Sequence, residues 1–390
     1  MHDDDPAPIS PPTPTPANAP QRLAIEFTGS GSEYFRIWLV NLLLTVVTLS
    51  LYLPFARARR LAYFHGNTIV GGQPLGFHGD PRKMLRGHLL ILLFGVVYGA
   101  STRFSPLTAV LAVVAFAALW PALWRASMQF RLGNTSWRGL RFGFDGSFGG
   151  AYFALLPAAV PWLAIVSAGL LAPRPGADGD PPAAPDPRLI AAVSFAVLLG
   201  FALVPLALAW IKRYQHGHYT YARQRSRLEA GGAAFYRYAL KLIGVSMLAS
   251  TLGGVALGGL VEAAGGTFGP IAIVGLVAFY AAFFVVMLPF SQSRLQNLVW
   301  GHTRSQELRV HSLLTLQPLA WLTLKNLVLT IVTLGLYRPF AAVATARMRL
   351  QAVSVDVEGD IAHWTAGAAA DAQDATGDAA GDFFGIDVGL

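Results

Sequence analysis

The sequence predicts an all-α polytopic membrane protein: a helical bundle of six to eight apolar segments, built from an internal repeat, with short cytoplasmic β-strands. Three observations predict it. The chain is 54% hydrophobic and only 13% charged, where soluble domains carry about 25% charged residues. Several apolar runs approach the ~20 residues needed to span a bilayer. And residues 41–56 (N-L-L-L-T-V-V-T-L-S-L-Y-L-P-F-A) recur 285 positions later at residues 326–341 (N-L-V-L-T-I-V-T-L-G-L-Y-R-P-F-A), with 12 of 16 positions identical. A repeat of this kind is the first thing to explain in any fold.

Residues 1–21 are Pro- and Asp-rich and are expected to be a disordered tail. Their acidic, polar start predicts no cleaved secretory signal. Residues 22–364 are then the membrane domain, and residues 365–390 an Ala/Asp-rich tail with a short apolar end. Within the domain, Leu23–Phe27 alternates like a short strand. Apolar segments follow at about 35–55, 88–101, 107–123, 151–171, 189–211, 238–261, 271–289 and 319–340. The fourth contains Pro157 and Pro161, which should kink it. A Pro/Asp-rich loop, 172–187, follows it.

A second repeat marks the segment ends. Pro54, Pro121, Pro205 and Pro289 are each followed twelve residues later by Gly66, Gly133, Gly217 and Gly301, then by Asn or His with a Thr just beyond. After Pro339 the matching position is Gln351. Between each proline and glycine lies a basic amphipathic stretch, containing for example Arg57 and Arg60, Arg131, Arg294, or Arg347 and Arg349. These predict helix continuations whose arginines snorkel to anionic headgroups. Beyond each glycine come alternating pieces (Leu75–Gly79, Leu140–Gly146, Glu307–His311, Val353–Val357). Exposed alternating strands need partners, so they are expected to gather into one small sheet under the bundle.

Basic residues set the sidedness. The module ends collect 22 Lys and Arg, the opposite loops only Arg103, Arg174 and Arg188. The basic loops are therefore expected to be cytoplasmic. Segments two to seven pair into three membrane hairpins. The two repeat copies either span or re-enter; re-entry keeps Arg338, Arg347 and Arg349 with the other basic residues and is preferred.

Phe27–Trp38 (F-T-G-S-G-S-E-Y-F-R-I-W), the duplicated stretch and the ending Gly381–Leu390 carry a resemblance. Together they resemble the YjgN-like bacterial inner-membrane family, a domain of unknown function. That resemblance implies a multi-pass inner-membrane protein and supplies neither substrate nor catalytic residues.

The residues themselves offer no catalytic motif. There is no cysteine, no phosphate-binding G-x-x-x-x-G-K-[ST], no H-E-x-x-H and no G-x-S-x-G. His216 and His218 form an H-x-H without a third ligand nearby, more simply a pair of interfacial loop histidines than a metal site. No enzyme activity, cofactor, metal site or nucleic-acid partner is expected. Intramembrane polar residues are the better candidates. Asn41, Thr45 and Thr48 match Asn326, Thr330 and Thr333, each set sharing one helix face. They either hydrogen-bond to a neighbouring helix or face each other across a polar path. Tyr52, Pro54, Tyr337 and Pro339 form the repeat motif. Ser246, Ser250, Gly254 and Gly258, four apart, predict close helix packing. The function expected is transport or channel-like passage of a small or lipidic solute. The alternative is a non-catalytic scaffold that holds anionic lipid at its Arg clusters and a protein partner at Asp382–Leu390.

Overall fold

Five units follow one another in a computed structural model that describes residues 21–171, 186–222, 224–266 and 269–358. The first four units are each a helical hairpin followed by a β-hairpin; the last ends in a single strand that pairs with the chain's first strand. The first runs from strand β1 (Gln21–Phe27) through helices α1 (Gly31–Val47) and α2 (Leu53–Gly66) to β2 (Thr68–Val70) and β3 (Gln73–Phe77). The second is α3 (Pro81–Phe104), α4 (Pro106–Gly133), β4 (Thr135–Trp137) and β5 (Leu140–Phe144). The third is α5 (Phe148–Leu171), α6 (Pro187–His216), β6 (Tyr219–Tyr221), β7 (Gln224–Arg225) and β8 (Arg227–Leu228). The fourth is α7 (Gly232–Ala263), α8 (Pro270–Trp300), β9 (Thr303–Arg304) and β10 (Leu308–Ser312). The last is α9 (Leu316–Val332), α10 (Arg338–Gln351) and β11 (Val353–Val357).

Local chemistry sets the helix starts. Ser30 accepts a hydrogen bond from the Glu33 amide at 3.2 Å, and Asp80 and Asp186 accept from the Arg82 and Arg188 amides at 2.8 Å. Each satisfies a donor left over in the first turn. Pro81, Pro187 and Pro270 open helices α3, α6 and α8, where the missing N–H costs nothing. Pro121, Pro205 and Pro289 lie inside continuous helices rather than ending them, and Pro157 and Pro161 likewise lie within α5. Neighbouring helices and polar side chains absorb such interruptions in membrane bundles. At Pro54 and Pro339, by contrast, a new helix begins.

Among the described residues six helices, α3 to α8, are long and apolar enough to cross a membrane. The repeat copies are different. Residues 48–52 and 333–337 are turns, and the chain reverses so that α2 packs on α1 and α10 on α9. From Ile37 to Val47 the apolar arm of α1 is about 16 Å long at 1.5 Å per residue, half of a ~30 Å hydrocarbon core. The tips, Leu49 and Leu334, are 87% and 93% exposed, as suits apolar turns embedded in lipid. Each helix touches the next in chain order, and α10 touches α1, so the ten form a closed ring.

The strands form one antiparallel sheet in the order β7-β6-β5-β4-β3-β2-β1-β11-β10-β9-β8. Its two nominal ends, β7 and β8, are one chain segment broken only at Ser226, so the sheet closes on itself. Ser226 Oγ seals the break, donating to the His216 carbonyl at 2.8 Å and accepting from the Tyr219 amide at 3.0 Å. The expectation of an all-α fold with one small sheet is corrected: eleven strands make a near-barrel under the helices. Its wall alternates as a half-buried sheet should. Leu23, Val355 and Val310 lie in one register row and line the inside. The adjacent row, Arg22, Asp356 and Arg309, carries charge on the other face, with Arg22–Asp356 at 3.8 Å and His311–Asp356 at 3.0 Å. The expectations for residues 1–20, for most of the 172–187 loop, for 365–390 and for the tail Asp382–Leu390 lie outside the described residues.

Candidate functional site

The Gly-Asn/His-Thr repeat serves the junction between membrane helix and barrel. Asn67 and Asn134 donate their side-chain amides to the Tyr63 and Phe130 carbonyls at 2.9 and 2.8 Å. His218 and His302 place Nδ1 at 2.8 Å from the Tyr214 and Leu298 carbonyls. Each gives a carbonyl of the last helical turn a side-chain partner; the Tyr63 and Phe130 carbonyls also accept the Asn67 and Asn134 backbone amides. Thr68, Thr135 and Thr303 repeat the move one residue on, donating to Phe64, Arg131 and Val299. In the third unit Tyr219 takes the threonine place, and Thr220 lies one position further. His216 is buried, with Trp300 edge-on at 4.8 Å and Thr303 Oγ1 at 3.3 Å from Nδ1. Among the described residues no His/Asp/Glu group is arranged to hold a metal.

The duplicated polar stripes are structural at one end and open at the other. Thr48 and Thr333 accept from the Tyr52 and Tyr337 amides at 2.9 and 3.0 Å while donating back into their own helices. They stitch the turn at which the chain reverses. Thr45 donates to the Asn41 carbonyl at 2.7 Å. Asn41 and Asn326, both buried, bridge the arms of their hairpins, to the Ala56 carbonyl at 3.4 Å and to Thr345 Oγ1 at 3.3 Å. Tyr52 and Tyr337 stack on Phe55 and Phe340 at 5.5 Å, and Pro54 and Pro339 are buried at the helix starts. The two stripes do not meet, because α10 lies between α1 and α9 in the ring. Only Asn326 and Thr330, of these six residues, line the central cavity.

On α7, Ser246 reaches Met287 Sδ at 3.6 Å, and Ser250 and Gly254 border a cavity of about 240 Å³ against α8. The close approach itself is at Gly253, where an added Cβ would lie 2.0 Å from the Phe279 ring. Gly254 and Gly258 have open space instead. Ser246, Ser250 and Gly254 thus border α8, while the tightest contact lies one residue off that stripe, about 100° around a helix.

Inside the ring lies a cavity of about 760 Å³, walled by α2, α4, α8, α9 and α10. Arg57, Arg60, Arg131, Arg338 and Arg349 line it, with Gln292, Thr323 and Thr345 between them and Phe284 and Leu288 on the α8 side. No Asp or Glu is among its lining residues. Below it the barrel encloses a second chamber of about 600 Å³, walled by Ile25, Val70, Phe142, Leu308 and Val353. Ala346 and Arg349 belong to both cavities and form the throat between them. Arg349 Nε donates to Gln296 Oε1 at 2.8 Å, and Gln296 Nε2 returns a bond to the Arg349 carbonyl at 2.9 Å. Burial pulls the Arg349 guanidinium below its usual range, a sign that its charge is poorly solvated. Burial also raises the phenols of the barrel: Tyr221 upward, opposed by Arg138, and Tyr219 to about 12, opposed by Arg131. At the far end Leu23, Trp137, Leu140, Tyr221 and Val357 close the floor. There Tyr221 Oη donates to the Trp137 carbonyl at 2.9 Å, and Trp137 Nε1 to the Val70 carbonyl at 3.1 Å.

Chemically this is an arginine-rich vestibule above a largely apolar chamber. Sequence reasoning assigned these arginines to headgroups, and it missed Gln296 and the throat. The available signal was spacing: Arg57 and Arg60, three apart, share a helix face, but which face turns inward depends on ring closure.

A family model described as bacterial protein of unknown function (DUF898) matches residues 22–383. The chain is similar to the inner membrane protein YjgN of Salmonella typhimurium, 29% identical over 148 residues, covering 36% of this chain and 35% of that protein. It is also similar to YjgN of Escherichia coli O157:H7, 28% identical over 129 residues, covering 33% of this chain and 32% of that protein. In Escherichia coli K12 a 51-residue stretch of YjgN is 43% identical, 13% of each chain. The alignments thus span about a third or less of these curated relatives. No solved structure matches significantly.

Proposed function

The chain belongs to the DUF898 family of bacterial proteins of unknown function and is a multi-pass inner-membrane protein, and from that premise we propose that it passes a small or lipidic solute along the axis of its ring. One observation carries the proposal: two cavities of binding-site size lie in series, joined at Arg349 and Ala346. Repeat-built membrane proteins commonly place their paths on the repeat axis. Five arginines without a lining carboxylate favour an anion. The chemistry is binding and passage, not catalysis. Reconstituted protein is expected to release entrapped radiolabelled hexanesulfonate from liposomes, and Ala346→Trp, which narrows the throat, is expected to slow that release at least tenfold. Release no faster than from protein-free liposomes would reject passage.

The floor of the chamber favours a second reading. Trp137 and Tyr221 are buried and hydrogen-bonded across the far end, as in a site that holds its ligand. On that reading the protein is a non-catalytic scaffold for anionic lipid. Lipid retained stoichiometrically through purification, with no flux of hexanesulfonate, would favour it.

A further inference from the structure

We infer that the axial site takes a single-chain amphipathic anion, its head among the vestibule arginines and its alkyl chain in the barrel chamber. The inference rests on the axial-passage reading and specifies the class of solute. Its basis is the contrast between two cavities that share a wall. The upper one presents guanidinium groups from several helices of the ring, Arg57 and Arg60 on α2, Arg131 on α4 and Arg338 on α10, with no acid among its lining residues. Guanidinium forks match the paired oxygens of carboxylates and phosphates, and apolar walls at Phe284 and Leu288 weaken competing water. The lower one is walled by inward rows of the barrel, almost wholly aliphatic or aromatic. A small hydrophilic anion gains nothing from such a chamber; an alkyl chain gains the free energy of leaving water.

Two features limit the chain. At about 600 Å³ the chamber is of the size that encloses one drug-like molecule, suited to one alkyl chain rather than the pair on a membrane lipid. Leu23, Leu140 and Val357 pack together at its far end, which limits the length of chain it takes. The Arg349–Gln296 pair holds the throat residue by its Nε and its carbonyl, which fixes the guanidinium where head and chain would join.

The test is equilibrium binding to full-length protein in amphipol, with protein-free amphipol subtracted. The probes are alkyl phosphates and alkanoates from four to sixteen carbons and the matching primary alcohols. Affinity is expected to rise about fourfold per methylene over the short members, then level off or fall. Arg57→Gln with Arg60→Gln is expected to weaken both anion series at least tenfold and leave the alcohols unchanged. Leu308→Trp, which fills the chamber, is expected to flatten the chain-length dependence while butyl phosphate still binds; Val310→Phe is the substitute if that variant fails to fold. Preference for the phosphate head points to a lysolipid source and preference for the carboxylate to a fatty acid; either supports the class. Affinity independent of chain length, or alcohols binding as tightly as anions, overturns it. Chain-dependent binding without flux would reject passage and leave this inference standing. Hexanesulfonate flux without chain dependence would do the reverse.

Discussion

Asn67 and His302 perform one task with different chemistry: each gives a helix-ending carbonyl a donor. Asn134→Ala should therefore cost about 1 kcal/mol, seen as a lower unfolding temperature in detergent, while His302→Asn should be near neutral because two other units already use asparagine. The alternation of Asn and His was visible in the sequence, but its meaning was not, because an i to i−4 side-chain cap exists only once the helix end is placed. His65 supplies a pH dependence. Burial holds its imidazole below the ordinary histidine range, only partly opposed by its bond to the Leu61 carbonyl at 2.8 Å. The folded state keeps it neutral while the unfolded chain protonates it below about pH 6.5. Its contribution is thus fully present above that pH and is lost as pH falls toward the depressed folded value. Thermal unfolding at pH 7.5 and 5.5 should show a larger acid-induced loss in the wild type than in His65→Gln; an equal loss would remove His65 as the cause.

At the scale of elements, the instructive case is α7. Small residues four apart are a sound signal for close packing, yet the glycine that receives a ring from α8 is Gly253, one residue off the stripe. The signal names a helix that packs closely; the rotation of that helix comes from the bulk on its partner, here Phe279, which no single-helix pattern contains. Gly253→Val should destabilise the protein by about 1–3 kcal/mol through overpacking, whereas Gly254→Val and Gly258→Val should stay within about 0.5 kcal/mol. Denaturant unfolding of the three variants would check this, and equal losses would contradict the assignment. The hairpins of the two repeat copies were legible only as a preference for re-entry, argued from the placement of Arg338, Arg347 and Arg349; the turns themselves were not read from the sequence. Gly335 and Ser50 have φ of 92° and 75°, in the left-handed region that a helix crossing straight through would never use.

For the whole molecule, local pattern foretold the units and not their closure. Alternating strands and apolar hairpins can be read from a few consecutive residues, but the pairing of β1 with β11 joins positions more than 300 apart, Arg22 with Asp356 among them. That closure turns arginines expected at the lipid surface into the wall of a cavity. It also makes a topological demand: the strands of all five units must lie on one side of the membrane. The absence of native cysteine makes single-cysteine labelling a clean check. A membrane-impermeant maleimide should reach Gln73→Cys, Ser305→Cys and Ala352→Cys from one side, and Ser105→Cys and Glu262→Cys from the other. Leu49→Cys and Leu334→Cys should label from neither, because their turns end within the hydrocarbon, where the thiol stays protonated and unreactive. The excess of arginine on the barrel side predicts that in cells this side is cytoplasmic. Labelling of Gln73 and Ala352 from opposite sides would open the barrel and the ring together, since β2 and β1 lie between their strands in the sheet and β1 pairs with both β2 and β11.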